Sequence, residues 1–175
     1  MFASILLPKR LVEALEARGL NVIDIIVNAL RDGLDPRIVA EARVELAERL
    51  LDEAREYIGK GDAVQASEKM YKVAEECIKA LAEVLQVKEA EEARKREKWS
   101  SWLLGEAAKS IADELNEQKV LEAWAIAYDV HVWGFHEAKY GIERVAVGLK
   151  YMELLLNTAK RVIEKSNQKR SDSSA

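Results

Sequence analysis

Apolar side chains recur at three- and four-residue spacing along most of this chain, which predicts helices nearly throughout. Val39, Leu46, Leu50, Ala54 and Tyr57, widened by Ala47 and Leu51, set a helix from Pro36 to about Ile58. Gly59, Lys60 and Gly61 end it, and Asp62 with Gln65 reads as a capping box for the next helix. So short a link predicts an antiparallel hairpin. The next helix, Ala63 to about Leu85, carries two apolar stripes, Ala66/Met70/Val73/Cys77/Ala80/Val84 and Tyr71/Ala74/Ile78/Leu81/Leu85, and so expects several partners. Its remaining face, Glu68, Lys72, Glu75 and Lys79, alternates in sign and reads as solvated.

The charged run Lys88 to Lys98 extends that helix or forms a loop. Ser100 or Ser101 caps a helix with Trp102, Leu103, Ala107, Ile111 and Leu115 inside, and Asn116 ends it. Glu117 to Tyr140 reads as one helix, and Ile142 to Ile163 follows with a regular seven-residue repeat. Before all of these, Ala3 to Leu7 predicts a short strand or extended arm. Two small helices follow, Lys9 to Arg18 stopped by Gly19, and Val22 to Leu30 capped by Asn21. The expected fold is therefore all-α, an antiparallel up-and-down helical bundle. An arm with two short helices covers residues 1–35, the bundle 36–165 and a serine-rich disordered tail 166–175.

Composition sharpens this. Of 175 residues, 49% are hydrophobic and 33% charged, enough for one domain with a sizeable core. The net charge of −4 excludes a global polyanion binder, so a nucleic-acid site would be a local patch. The single Cys77 excludes an internal disulfide and a cysteine-rich zinc site. No apolar run reaches the roughly 18 residues that a membrane span requires. The expected location is the cytoplasm.

Candidate chemistry gathers in Glu117 to Tyr140, which holds both histidines. His131 shares a stripe with Leu121, Trp124, Tyr128, Phe135 and Ala138; His136 shares another with Ile126, Asp129, Trp133 and Tyr140. On a straight helix the two rings diverge by about 140°. A bend at Gly134, or a two-fold contact with a second copy, would bring them together. An imidazole on an apolar stripe is either a hydrogen-bonded core residue or an acid–base group. Trp124 reads as core, whereas Trp133 suits a ligand wall or dimer contact. His131, His136, Asp129 and Glu137 are all metal-ligand types, but they do not share a helix face as in H-E-x-x-H; no metal or cofactor is expected.

GDAVQASEKMYKVAEECIKALAE (Gly61 to Glu83) and AWAIAYDVHVWGFHE (Ala123 to Glu137) resemble the archaeal PaREP family. The resemblance extends over about Val22 to Ile163, and that family resembles a branch of the HEPN superfamily. It implies an up-and-down bundle that dimerises. Many HEPN proteins are metal-independent ribonucleases, or partners of small nucleotidyltransferases in toxin–antitoxin pairs. Their signature is an arginine followed a few residues later by a histidine, with two copies facing an RNA groove. His136 stands at the histidine position, the residue five earlier is His131, and no arginine occurs between Arg96 and Arg144. The resemblance thus implies catalytic roles for His131 and His136, with Trp133, Lys139, Tyr140 and Arg144 binding RNA or a nucleotide in a homodimer. The alternative is a non-enzymatic interaction module, antitoxin-like or a scaffold.

Overall fold

The computed structural model describes residues 5–30 and 33–173, except the side chains of residues 16 and 169–173. Among the described residues every regular element is helical: α1 (Lys9–Ala17), α2 (Val22–Leu30), α3 (Pro36–Gly59), α4 (Ala63–Leu85), α5 (Lys88–Lys95), α6 (Ser101–Leu115), α7 (Lys119–Val130), a π-turn (His131–His136), α8 (Ile142–Ala146) and α9 (Leu149–Ser173). The fold is an all-α bundle. No helix among the described residues is long and apolar enough to cross a membrane.

Local chemistry sets the boundaries. Asp35 accepts from Arg37 N–H at 2.9 Å, with Pro36 at the first helical position of α3. Asp62 caps α4 by accepting from Gln65 N–H at 2.9 Å. The other half of a capping box is not made, because Asp62 N–H donates to Tyr57 C=O instead. Ser100 accepts from Leu103 N–H, and Asn116 closes α6 in the left-handed conformation that asparagine tolerates.

α4 is the hub, packed against α3, α6, α7, α9 and the π-turn. Met70, Val73, Cys77, Ile78 and Leu81 are wholly buried, as the two stripes require. Each such aliphatic side chain contributes about 1.5–3 kcal/mol through removal from water. Burial also pushes the Cys77 thiol well above its usual range, so it is an inert core residue.

Several expectations are corrected. Ile5–Leu7 form no strand, since a strand needs a ladder partner and the described chain offers only helices; Ala3 and Ser4 lie outside the described residues. The repeat from Ile142 is broken into α8 and α9 across Val147 and Gly148, a glycine being about 1 kcal/mol less favourable than alanine inside a helix. α9 runs on to Ser173, past residue 165, through a segment rich in Glu, Lys, Gln and Arg that favours helix. Ser174 and Ala175 lie outside the described residues.

The alternating face of α4 is only partly solvated. Lys72 pairs with Glu68 at 2.8 Å near the surface. Lys79 is fully buried, its Nζ 2.7 Å from both Asp24 Oδ2 and Glu75 Oε1. Arg43 joins the same cluster, bonding Asp24 Oδ1 and Glu76 Oε2 at 2.7 Å each. Charges leave water only when paired, and here each cation bridges at least two carboxylates. Burial pushes the Asp24 carboxyl up, but Lys79 and Arg43 outweigh it and hold it below its usual range. This cluster ties α2 to α3 and α4 through a charged residue, and Asp24 is the only buried residue of α2.

Candidate functional site

The single helix expected over Glu117–Tyr140 does not persist. α7 ends at Val130, and His131–His136 wind as a π-turn, whose hydrogen bonds span five residues instead of four. Glu137 N–H accordingly reaches Val132 C=O at 2.9 Å. The cause lies on α4: Gly134 is pressed against Ser67, and a Cβ there would stand 2.1 Å from Ser67 Oγ and 2.9 Å from Ser67 Cβ. Only a residue without a side chain admits this approach. Ala138 ends the turn in the left-handed conformation, φ 48°, and the Trp133 carbonyl accepts from both Lys139 and Tyr140 N–H.

The wider turn brings together residues five apart. His131 Nε2 and His136 Nε2 lie 3.0 Å from each other, with the rings edge to face and centroids 4.4 Å apart. The pairing that sequence spacing left to a bend or a second copy is made within one chain. His131 lies flat on Tyr71 of α4, centroids 3.8 Å apart and planes 15° apart, and also stacks with Phe135 at 5.6 Å. Tyr71 itself shares a 3.0 Å hydrogen bond with Ser101, and burial lifts its phenol to about 12, so it stays neutral. His136 is exposed.

Burial, then the neighbouring His136, drives the His131 pKa down to about 4, against the pull of Glu75 and Glu68. His131 is therefore neutral at pH 7. Its Nδ1 is buried without a hydrogen-bond partner. A proton on Nδ1 would strand a buried N–H, at about 1–3 kcal/mol. The proton therefore belongs on Nε2, donated to His136 Nε2, which leaves His136 with its own proton on Nδ1. The pair holds one shared hydrogen bond and presents one solvent-facing ring.

The other residues singled out by sequence fall into a neighbouring cluster. Trp133 is 45% exposed beside the pair. Tyr140 donates to both carboxylate oxygens of Asp129, at 2.9 and 3.1 Å. Arg144 donates to the Tyr140 hydroxyl at 2.8 Å and lies over its ring at 4.0 Å. Lys139 is exposed and tied to Trp133 through the main chain. The basic residue whose charge acts on His131 is Lys72 of α4, flanked by Glu68 and Glu75. Sequence reasoning missed Ser67, Tyr71 and Ser101, whose partners are distant in the chain; Tyr71 had no signal beyond being the one aromatic in the α4 stripes. Among the described residues no group of three or more His, Cys, Asp or Glu could hold a metal ion. A 520 Å³ hollow lined by Pro36, Glu83, Lys88 and Arg94 includes neither histidine.

These features define a class, an all-helical bundle with a paired-imidazole turn packed on its central helix. The chain belongs to the archaeal PaREP1/PaREP8 family, whose model matches residues 42–156. It is also similar to a protein from Sulfolobus solfataricus of known crystal structure. That likeness has 32% identity and a TM-score of 0.61, covering 67% of this chain and 95% of the other. No curated protein matches.

Proposed function

We propose that this chain is a HEPN-like domain that binds RNA or a nucleotide at the π-turn and cleaves RNA slowly without a metal. One observation carries the reading, the 3.0 Å approach of two imidazoles with one ring left facing solvent. His136 is the catalytic residue, and His131 is the positioning residue that fixes its ring. Because the rings touch, no phosphate fits between them, so they act as one acid–base unit. In the proposed step the 2′-oxygen attacks phosphorus and the P–O5′ bond breaks, leaving a 2′,3′-cyclic phosphate and a 5′-hydroxyl. Water takes the 2′ proton, while His136 donates its solvent-facing Nδ1–H to the departing 5′-oxygen and recovers a proton from solvent. Trp133 offers a face for base stacking, while Lys139 and Arg144, the latter held by Tyr140, supply positive charge.

The test is cleavage of a labelled oligoribonucleotide in excess chelator. Activity is expected to persist with chelator and to fall about 10²–10⁴-fold in His136→Ala. Full activity in that variant would remove the assignment.

A second reading, a non-enzymatic module partnering a small nucleotidyltransferase or acting as a scaffold, is favoured by Glu68 and Glu75 acting on His131. A phosphate site calls for cations there. It predicts no turnover and a stable complex with purified nucleotidyltransferase; cleavage lost on His136→Ala would contradict it.

A further inference from the structure

Two imidazole nitrogens that face one another are a pair of metal ligands as well as an acid–base unit. On an α-helix His131 and His136 fall on different faces; the π-turn removes that obstacle. Imidazole nitrogen bonds zinc at about 2.0–2.1 Å, so two rings bound at right angles to one ion stand about 2.9 Å apart, nitrogen to nitrogen. His131 Nε2 and His136 Nε2 are 3.0 Å apart. The rings do not meet end to end, since their centroids are only 4.4 Å apart and their planes cross at 75°. Rings splayed in this way can turn both lone pairs toward a point beside the line that joins the nitrogens. An ion there lies about 1.5 Å off that line and needs no gap between the rings.

The pair is also held in place before an ion arrives. His131 is pinned on Tyr71 at 3.8 Å, and Phe135 contacts both rings, 5.6 Å from His131 and 5.0 Å from His136 between centroids. Ligands ordered in advance lose little freedom on binding. Charge agrees: Glu75 and Glu68 of α4 favour a positive charge at His131, against Lys72 and His136. Carboxylates that are awkward for a phosphate suit a cation.

We propose that His131 and His136 chelate one divalent late transition-metal ion, of the copper(II) or nickel(II) class, with water in its remaining positions. These ions accept imidazole and right-angled coordination, and copper(II) binds a given nitrogen site most tightly. Magnesium and calcium require several oxygen ligands and do not fit. Chelation uses both Nε2 lone pairs, so the proton between the rings moves to His131 Nδ1 and none is released. That buried N–H then lacks a partner, which weakens the site about ten- to hundredfold. The second ring offsets this, because an intramolecular second bond adds roughly 10²–10⁴-fold over one ring. The inference rests on ring geometry and is separate from RNA cleavage; where cleavage occurs, the bound ion covers His136 and stops it.

Calorimetric titration of copper(II) and nickel(II) into the untagged, metal-free full chain tests it, without RNA, together with electron paramagnetic resonance of the copper(II) form. One ion per chain with two nitrogen ligands is expected. His136→Ala, at an exposed position, and His131→Phe should each weaken nickel(II) binding roughly 10²-fold. Magnesium should give no heat. A single nitrogen ligand, nickel(II) affinity unchanged in His136→Ala, or equal binding of magnesium each overturns the inference. If a variant unfolds, NMR of the wild type decides. Trace nickel(II) should broaden the His131 and His136 ring signals before any other; broadening that begins elsewhere overturns the inference.

Discussion

Gly134 of the π-turn and Ser67 of α4 share a space with no room for another carbon. A Cβ on Gly134 would come within 2.1 Å of Ser67 Oγ and 2.9 Å of Ser67 Cβ. Rotating the hydroxyl away relieves the first clash and not the second. Gly134→Ala should therefore lift the π-turn off α4 and cost about 1–3 kcal/mol, the usual range for overpacking. Ser67→Gly in the same chain should recover most of that loss, as chemical denaturation of the two variants would show. An unchanged midpoint in Gly134→Ala would mean that this contact does not shape the turn.

The turn also ends under strain. Ala138 sits at φ 48°, where a Cβ crowds the following carbonyl. Ala138→Gly removes that cost, partly offset by the added freedom of the unfolded chain. A net gain of up to about 1 kcal/mol is expected in thermal or urea unfolding. A loss of stability would show that the alanine methyl is held by contacts worth more than the strain.

How much of this was legible in the chain follows from where each cause resides. The limits of α3 and α4 were readable because their determinants, Pro36, Asp62 and the apolar stripes, are local. So were the caps at Asn21, Ser100 and Asn116. The π-turn was not, because it depends on Ser67 on another helix, and a run with helical spacing reads as α-helix unless that neighbour is known. Both histidines were nevertheless singled out, and Gly134 was named as the place where the helix could depart from ideal. The repeat after Gly141 misled because apolar spacing does not register Gly148, a weak helix former that falls between α8 and α9.

Lys79 is the clearest failure of local reading. Its spacing from Glu75 and Lys72 is that of a solvent-facing ladder, yet Asp24 and Arg43 close over it from α2 and α3. Lys79→Met keeps the packing volume but leaves Asp24, Glu75 and Glu76 with Arg43 alone. Breaking a buried cluster from one side should cost about 3–5 kcal/mol. Adding Asp24→Leu should return part of it, since fewer buried carboxylates then lack a cation. Equal stability of wild type and Lys79→Met would show that the cluster is open to water.

Stability should also respond to acid through His131. Its pKa is depressed to about 4 in the fold, against 6.5 for an ordinary histidine. Between those values the unfolded chain binds the extra proton, so folding weakens as pH falls. The His131 contribution is complete above pH 6.5 and is lost progressively toward pH 4. His131→Phe keeps a ring on Tyr71 without the titration, and its melting temperature should fall less over that window. Parallel slopes for the two proteins would show that His131 is not the group responsible.

The paired imidazoles can be tested most directly by nitrogen-15 NMR of the two side chains as a function of pH, with and without a short oligoribonucleotide. The account predicts that His131 stays neutral with its proton on Nε2 until near pH 4, and that the oligoribonucleotide shifts the His136 ring. His131 titrating near pH 6.5 with no response to His136→Ala, and an RNA that moves neither ring, would contradict it.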